Sequence, residues 1–156
     1  MLGKSRLLGL AMISWAIATP ILSNPDLVTR LEVSLQQRRV IAFQGDRVWK
    51  SFRLGVGKAG WETPKGTYRV RQLIQNPAWK NPFTGDVVAG GDRANPLGKH
   101  WIGFWTNGRD WSGFHGTNDP SSVGQATSHG CLRMLPQEIA ELFPLLTRAT
   151  TVQVKP

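Results

Sequence analysis

A mainly β domain is what this sequence predicts, and three observations carry the prediction. Glycine (17), proline (10) and tryptophan (7) are abundant among the 156 residues while charged side chains make up only 19%, a balance that suits short strands joined by turns better than a helical bundle. Apolar and polar residues alternate in several short runs. Helix signals gather in one short stretch near the C-terminus. The length suits one domain, with a core that needs no disulfide or metal staple, and no internal repeat or low-complexity tract interrupts it.

Lys4 and Arg6 give a positive start, Leu7 to Ile17 an apolar run, and Ala16-Ile17-Ala18 a small-x-small cleavage site. Residues 1–23 are therefore expected to be a signal peptide or an N-terminal membrane anchor, since the apolar stretch ending at Leu22 is short of the ~20 residues of a full span. Leu31, Val33 and Leu35 alternate with Glu32 and Ser34 as in a half-buried strand. Gln36 to Arg39 form a turn, and Val40 to Phe43 a second strand. Gln44-Gly45-Asp46 is a hairpin loop with Gly45 at positive φ, and Val48 to Val56 a third strand, completing a meander. Thr63-Pro64-Lys65-Gly66-Thr67-Tyr68 reads as a turn delivering a fourth strand through Val70 and Leu73.

Gln75 to Gly98 is a long loop rich in glycine and proline with Trp79 and Phe83 inside it, the pattern of a lid or binding loop. Trp101 to Trp105 form a buried strand, Asn107 to Asp110 turn it, and Trp111 to Phe114 carry His115 to a strand end, where a side chain is held firmly yet reachable. His100 lacks such a context and is expected to be a surface or satisfied structural histidine. Pro136 to Phe143 is a short helix with proline in its first turn and Glu138 near its positive end, stopped by Pro144. Thr150 to Val154 closes the fold with Val152 and Val154 inward.

The formal charge of +9 attracts polyanions. Its cations are scattered, without a basic run or a nucleic-acid motif, so a solvated basic face is expected and no nucleic-acid partner.

His115 to Met134, HGTNDPSSVGQATSHGCLRM, holds the chain's single cysteine and two of its three histidines. A lone Cys131 in an exported chain has no internal disulfide partner, and its glycine and histidine neighbours favour a reactive thiol over an inert one. A thiol attacks a carbonyl as thiolate and so needs a base. His129, two residues before it, and His115, sixteen before it, both qualify, and spacing leaves both open. Zinc is disfavoured because Cys131, His115 and His129 show no paired C-x-x-C or H-x-x-x-H spacing. Gly130 lets a substrate and backbone N–H groups come close to the sulfur. Beside His115, Gly116 permits a backbone carbonyl to fix the imidazole tautomer. Arg133 is suited to gripping a carboxylate, or else to a salt bridge with Asp119 or Glu138.

This stretch resembles the signature of the L,D-transpeptidase catalytic domain of the YkuD type, with its HGT element and [S/T]HGCxR core. Thr63 to Tyr68 resembles the family's TPxGxY turn, and Asn95 to Phe104 the segment leading to its catalytic strands. The resemblance spans about residue 30 to the end, so residues 30–156 are expected to form the catalytic domain. It implies a β-sandwich-like fold with Cys131 as nucleophile and His115 as base. Ser128, His129, Gly130 and Gly116 become oxyanion or positioning residues, and Arg133 a substrate contact. The implied partners are peptidoglycan stem peptides, as donor and acceptor, and the implied product is a diaminopimelate–diaminopimelate cross-link. Hydrolysis by an L,D-carboxypeptidase, protein-to-wall transfer and a non-enzymatic wall-binding module are the alternatives. No cofactor or metal is required by the chemistry, a monomer is expected, and the expected location is the periplasm or cell envelope.

Overall fold

The computed structural model describes residue 24 and residues 26–156; the export or anchor segment expected at 1–23 lies outside the described residues. Among the described residues, nine of the thirteen strands build two sheets around a shared core, which one α-helix flanks. The first sheet has the order β3-β2-β1-β13-β5, from β1 (Arg30–Ser34), β2 (Arg39–Gln44), β3 (Arg47–Arg53), β5 (Gly66–Arg69) and β13 (Thr151–Lys155). The second has the order β12-β10-β9-β6, from β6 (Gln72–Gln75), β9 (His100–Thr106), β10 (Trp111–His115) and β12 (Leu132–Arg133). Two small ribbons complete it: β4 (Val56–Gly57) with β11 (Ala126–Ser128), and β7 (Trp79–Lys80) with β8 (Val87–Val88).

Period-two burial supplies the core. Leu31 and Val33, Val40 and Ala42, and Val152 and Val154 point inward from the first sheet, and Ile102, Phe104, Phe114 and Leu132 from the second. Tyr68 stacks on Phe104 across the two sheets, with ring centroids 5.5 Å apart. Helix α1 (Pro136–Leu142) seals one end with Ile139 and Leu142. The meander, the Gly45 turn at φ +60°, the helix and the closing strand are as expected.

Two crossings differ from the sequence reading. The third strand stops at Arg53 rather than running to Val56, because the chain there leaves the first sheet. Gly55 exchanges backbone hydrogen bonds of 2.8 Å each way with Arg133, and a Cβ on Gly55 would lie 2.6 Å from the Ser122 carbonyl oxygen, so only glycine fits. The fourth strand is likewise two strands. β5 pairs with β13 and β6 with β9, and the chain changes sheet between buried Val70 and Arg71, whose N–H donates to Gly103 O at 2.7 Å. The first crossing carries the chain toward the segment that holds Cys131, and the second lays β6 on β9 at the opposite edge of that sheet from β12.

Candidate active site

β10 and β12 run parallel, with Phe114 beside Leu132 and His115 beside Arg133. Phe114 and Leu132 enter the core, so alternation turns His115 and Arg133 to the opposite face. Cys131, one residue before β12, stands on that same face next to Gly113. A thiol and an imidazole on adjacent strands, two residues out of register, are diagonal neighbours within reach of a long or aromatic side chain. The fold thus brings His115 and Cys131 together.

His115 is 5% exposed. Its Nδ1 makes a short hydrogen bond with the Gly116 carbonyl oxygen. A carbonyl only accepts, so the proton sits on Nδ1 and Nε2 keeps its lone pair, the tautomer a general base requires. Burial pushes the imidazole pKa down to about 4; the Gly116 bond opposes the shift and the Arg133 charge adds to it. Trp101, paired with His115 across β9 and β10, stacks beside its ring at 24° with centroids 6.2 Å apart. Trp101 is itself anchored, Nε1 donating to Gln72 Oε1 at 2.8 Å.

Cys131 is half-buried, and its Sγ lies 3.7 Å from the Trp111 carbonyl oxygen. Burial raises the thiol pKa above its ordinary value, while the Gly113 backbone hydrogen bond and the Arg133 charge pull it back. With the imidazole shifted down and the thiol up, both are neutral at rest across the physiological range.

Gly113 was not legible as a site residue, although a glycine inside a strand is a signal of close approach. It follows a register shift in β10, and a Cβ there would lie 2.5 Å from Ile102 O and 2.9 Å from the Trp101 ring. Its bareness is what allows Trp101 to stand beside His115.

Ser128, Gly130 and Cys131 form a tight turn. Ser128 Oγ donates to Cys131 O at 2.6 Å and accepts from Gly130 N–H at 3.2 Å, and Gly130 has φ +105°, a conformation that suits glycine. That turn breaks the extended alternation that would have put His129 and Cys131 on one face. His129 is instead exposed on the rim, edge-on to Trp61 at 4.8 Å and to Phe83 at 5.7 Å between centroids. Phe83 comes from the long loop, which also carries the β7–β8 ribbon, so that loop packs against the site. Arg133 makes no salt bridge with Asp119 or Glu138; it donates to Thr127 Oγ1 at 3.3 Å. His100 packs on Phe143 at 4.8 Å, and its Nδ1 is buried without a partner, so it is structural but not satisfied. Among the described residues no three metal-ligating side chains converge.

A thiol and a tautomer-fixed imidazole on one face of the second sheet define a candidate cysteine acyl-transfer centre. Comparison with known proteins gives the family. The model of the L,D-transpeptidase catalytic domain matches residues 28–154, and the chain belongs to that family. It is 32% identical over 142 residues to a Bacillus licheniformis protein that carries the name L,D-transpeptidase YkuD, covering 90% of this chain and 74% of the relative. Against the YqjB L,D-transpeptidase of Bacillus subtilis identity is 36% over 137 residues, covering 86% and 73%. The crystal structure of Enterococcus faecium L,D-transpeptidase superposes with a TM-score of 0.67 at 23% identity, over 82% of this chain and 50% of that one. The chain thus spans about half the length of that crystallised relative, and the likeness supports a shared fold.

Proposed function

We propose that this chain is a cysteine-dependent L,D-transpeptidase acting on peptidoglycan stem peptides, exported to the periplasm or cell envelope. The observation that carries the reading is the buried His115, its Nδ1 proton held by Gly116 O, on the same sheet face as Cys131. In the first step Cys131 Sγ attacks the carbonyl carbon at the L-centre of diaminopimelate, and its proton passes to His115 Nε2. The tetrahedral oxyanion collapses, the terminal D-alanine leaves as amine with the proton from His115, and a thioester on Cys131 remains. In the second step a side-chain amine of a neighbouring stem attacks the thioester and gives its proton to His115. The sulfur departs and takes that proton back from His115, and two diaminopimelates are joined. Water in place of the amine gives a carboxypeptidase.

The remaining residues take supporting parts. Gly116 fixes the base, while Ser128 and Gly130 hold the turn that presents the sulfur. Gly130 N–H is committed to Ser128 Oγ, so the oxyanion is assigned to the N–H of Cys131 itself. His129 shapes the rim and Arg133 grips a substrate carboxylate. No cofactor enters the scheme.

Incubating the protein with a stem tetrapeptide and seeking an acyl adduct on Cys131 by mass spectrometry tests nucleophile and substrate together. His115→Ala is expected to abolish the adduct and His129→Ala to weaken it. The reverse pattern would overturn the assignment of the base.

A further inference from the structure

Two cations without an acidic partner flank the turn that presents the thiol: Arg133 follows it on β12, and Lys58 lies across the β4–β11 ribbon from it. Among the described residues the ion pairs are Arg30–Glu32, Lys50–Glu141 and Lys155–Glu32, and neither Arg133 nor Lys58 belongs to them. Lys58 follows β4 and is exposed. Its N–H donates to Ser128 O at 3.0 Å and its carbonyl accepts from Trp61 N–H at 2.9 Å. The first bond places it directly across the ribbon from the turn that presents Cys131. The second places it at the foot of the turn that lifts Trp61 over His129. The nearby acids are committed elsewhere: Glu62 accepts from Gly60 N–H at 2.9 Å and feels Lys65, and Asp119 caps Ser121. Lys58 and Arg133 both bear on His129, whose imidazole is held below its usual range by burial first and then by these two charges.

We propose that Lys58 and Arg133 form a two-point grip for an acyl donor bearing two carboxylates, with Lys58 selecting a free carboxylate over a carboxamide at the second point. This rests on the reading of Cys131 as the nucleophile toward acidic stem peptides. The two groups suit unequal tasks. The planar guanidinium of Arg133 takes a carboxylate in fixed geometry beside the sulfur, whereas the ammonium of Lys58 is a point charge on a flexible stem and follows a more distant group. Trp61 and Phe83, 48% and 70% exposed, stand beside the same imidazole, and a donor lying against them is partly shielded from water, which strengthens the contact beyond that of an open surface pair. A carboxamide is neutral and loses the charge-assisted part of the bond.

The test uses two tetrapeptide donors identical except for a carboxylate or a carboxamide away from the scissile bond. Acylation of Cys131 is followed by mass spectrometry for the wild type, Lys58→Met and Lys58→Arg, each checked by circular dichroism for an unchanged fold. The wild type is expected to favour the free acid by about tenfold in kcat/KM, mostly through KM. Lys58→Met should collapse that preference and Lys58→Arg should retain most of it. Raising ionic strength should shrink the preference in the wild type and not in Lys58→Met. Equal use of both donors by the wild type, or a preference that survives Lys58→Met, overturns the grip while leaving the nucleophile in place. Absence of any adduct with either donor overturns the reading of the site itself.

Discussion

The neutral resting pair at Cys131 and His115 makes the pH profile of acylation diagnostic. An imidazole titrating at about 4 is ~97% neutral at pH 5.5, whereas one at the ordinary 6.5 is only ~9% neutral, a tenfold difference in available base. The thiol, raised above its ordinary value by burial, still carries its proton at that pH. Single-turnover acylation of Cys131 should therefore run on a flat plateau from about pH 5.5 to the alkaline side, with an acid limb near 4 and an alkaline limb above the usual thiol range. Stopped-flow measurement with an acylating substrate, in buffers of constant ionic strength, reads the profile directly. An acid limb between pH 6 and 7 would refute the argument, because it would mean that a group titrating near the ordinary imidazole value, and not the buried His115, accepts the proton.

Two further outcomes follow from the same geometry. Gly113→Ala forces a Cβ to 2.5 Å from a backbone oxygen of the neighbouring strand and 2.9 Å from Trp101; a backbone atom cannot retract, so a loss of about 3 kcal/mol in urea unfolding is expected, together with slowed acylation as Trp101 is pushed against His115. Wild-type stability with wild-type activity would show that β10 yields more readily than its packing implies. The second outcome concerns acid. A histidine whose folded pKa lies below its unfolded value binds fewer protons in the native state, so stability must fall as pH falls from 6.5 toward 4. His115 alone contributes a loss of about 3 kcal/mol over that window, and His115→Gln should remove that part of the pH slope in denaturant titrations. An unchanged slope would place the titration elsewhere.

Local pattern was legible where local physics decides. Alternation in Leu31–Val33, Val40–Ala42 and Val152–Val154 names buried positions because a strand has only two faces. Pro136 and Glu138 mark a helix start because the backbone donors there are open. The candidate site was legible for a different reason: the chain's one cysteine and two of its three histidines crowd into twenty residues, with Gly130 and Arg133 flanking the thiol. What the sequence hid is what depends on which strand lies beside which. Val48 to Val56 and the run through Val70 and Leu73 look continuous, yet each changes sheet, at Gly55 and after Val70, since pairing partners from β12 and β9 outcompete further pairing within the first sheet. Trp61 and Phe83 lie 68 and 46 residues before His129, and only the folded loop makes them its neighbours. The expectation that His129 shares a face with Cys131 assumed an extended chain, which Gly130 at φ +105° does not allow.

Arg133 acts on the proposed acid and base in opposite senses, and this bears on how the reaction starts. Its charge pulls the Cys131 pKa down, favouring thiolate, but also pulls the His115 pKa down, opposing the imidazolium that must form with it. In the free protein the two effects offset one another and the thiol stays protonated, a state that resists oxidation better than a thiolate. In the proposed complex, a substrate carboxylate docked on Arg133 neutralises that charge at both places. His115 then becomes the stronger base just when the thiol has a carbonyl to attack, so the proton moves as the carbon–sulfur bond forms rather than before it. Replacing Arg133 by methionine separates the two senses: His115 should titrate above about 4 in the free variant, moving the acid limb of acylation upward, while the alkaline limb moves up with the thiol. An acid limb that stayed in place would show that burial alone sets the base and that Arg133 serves only to hold substrate.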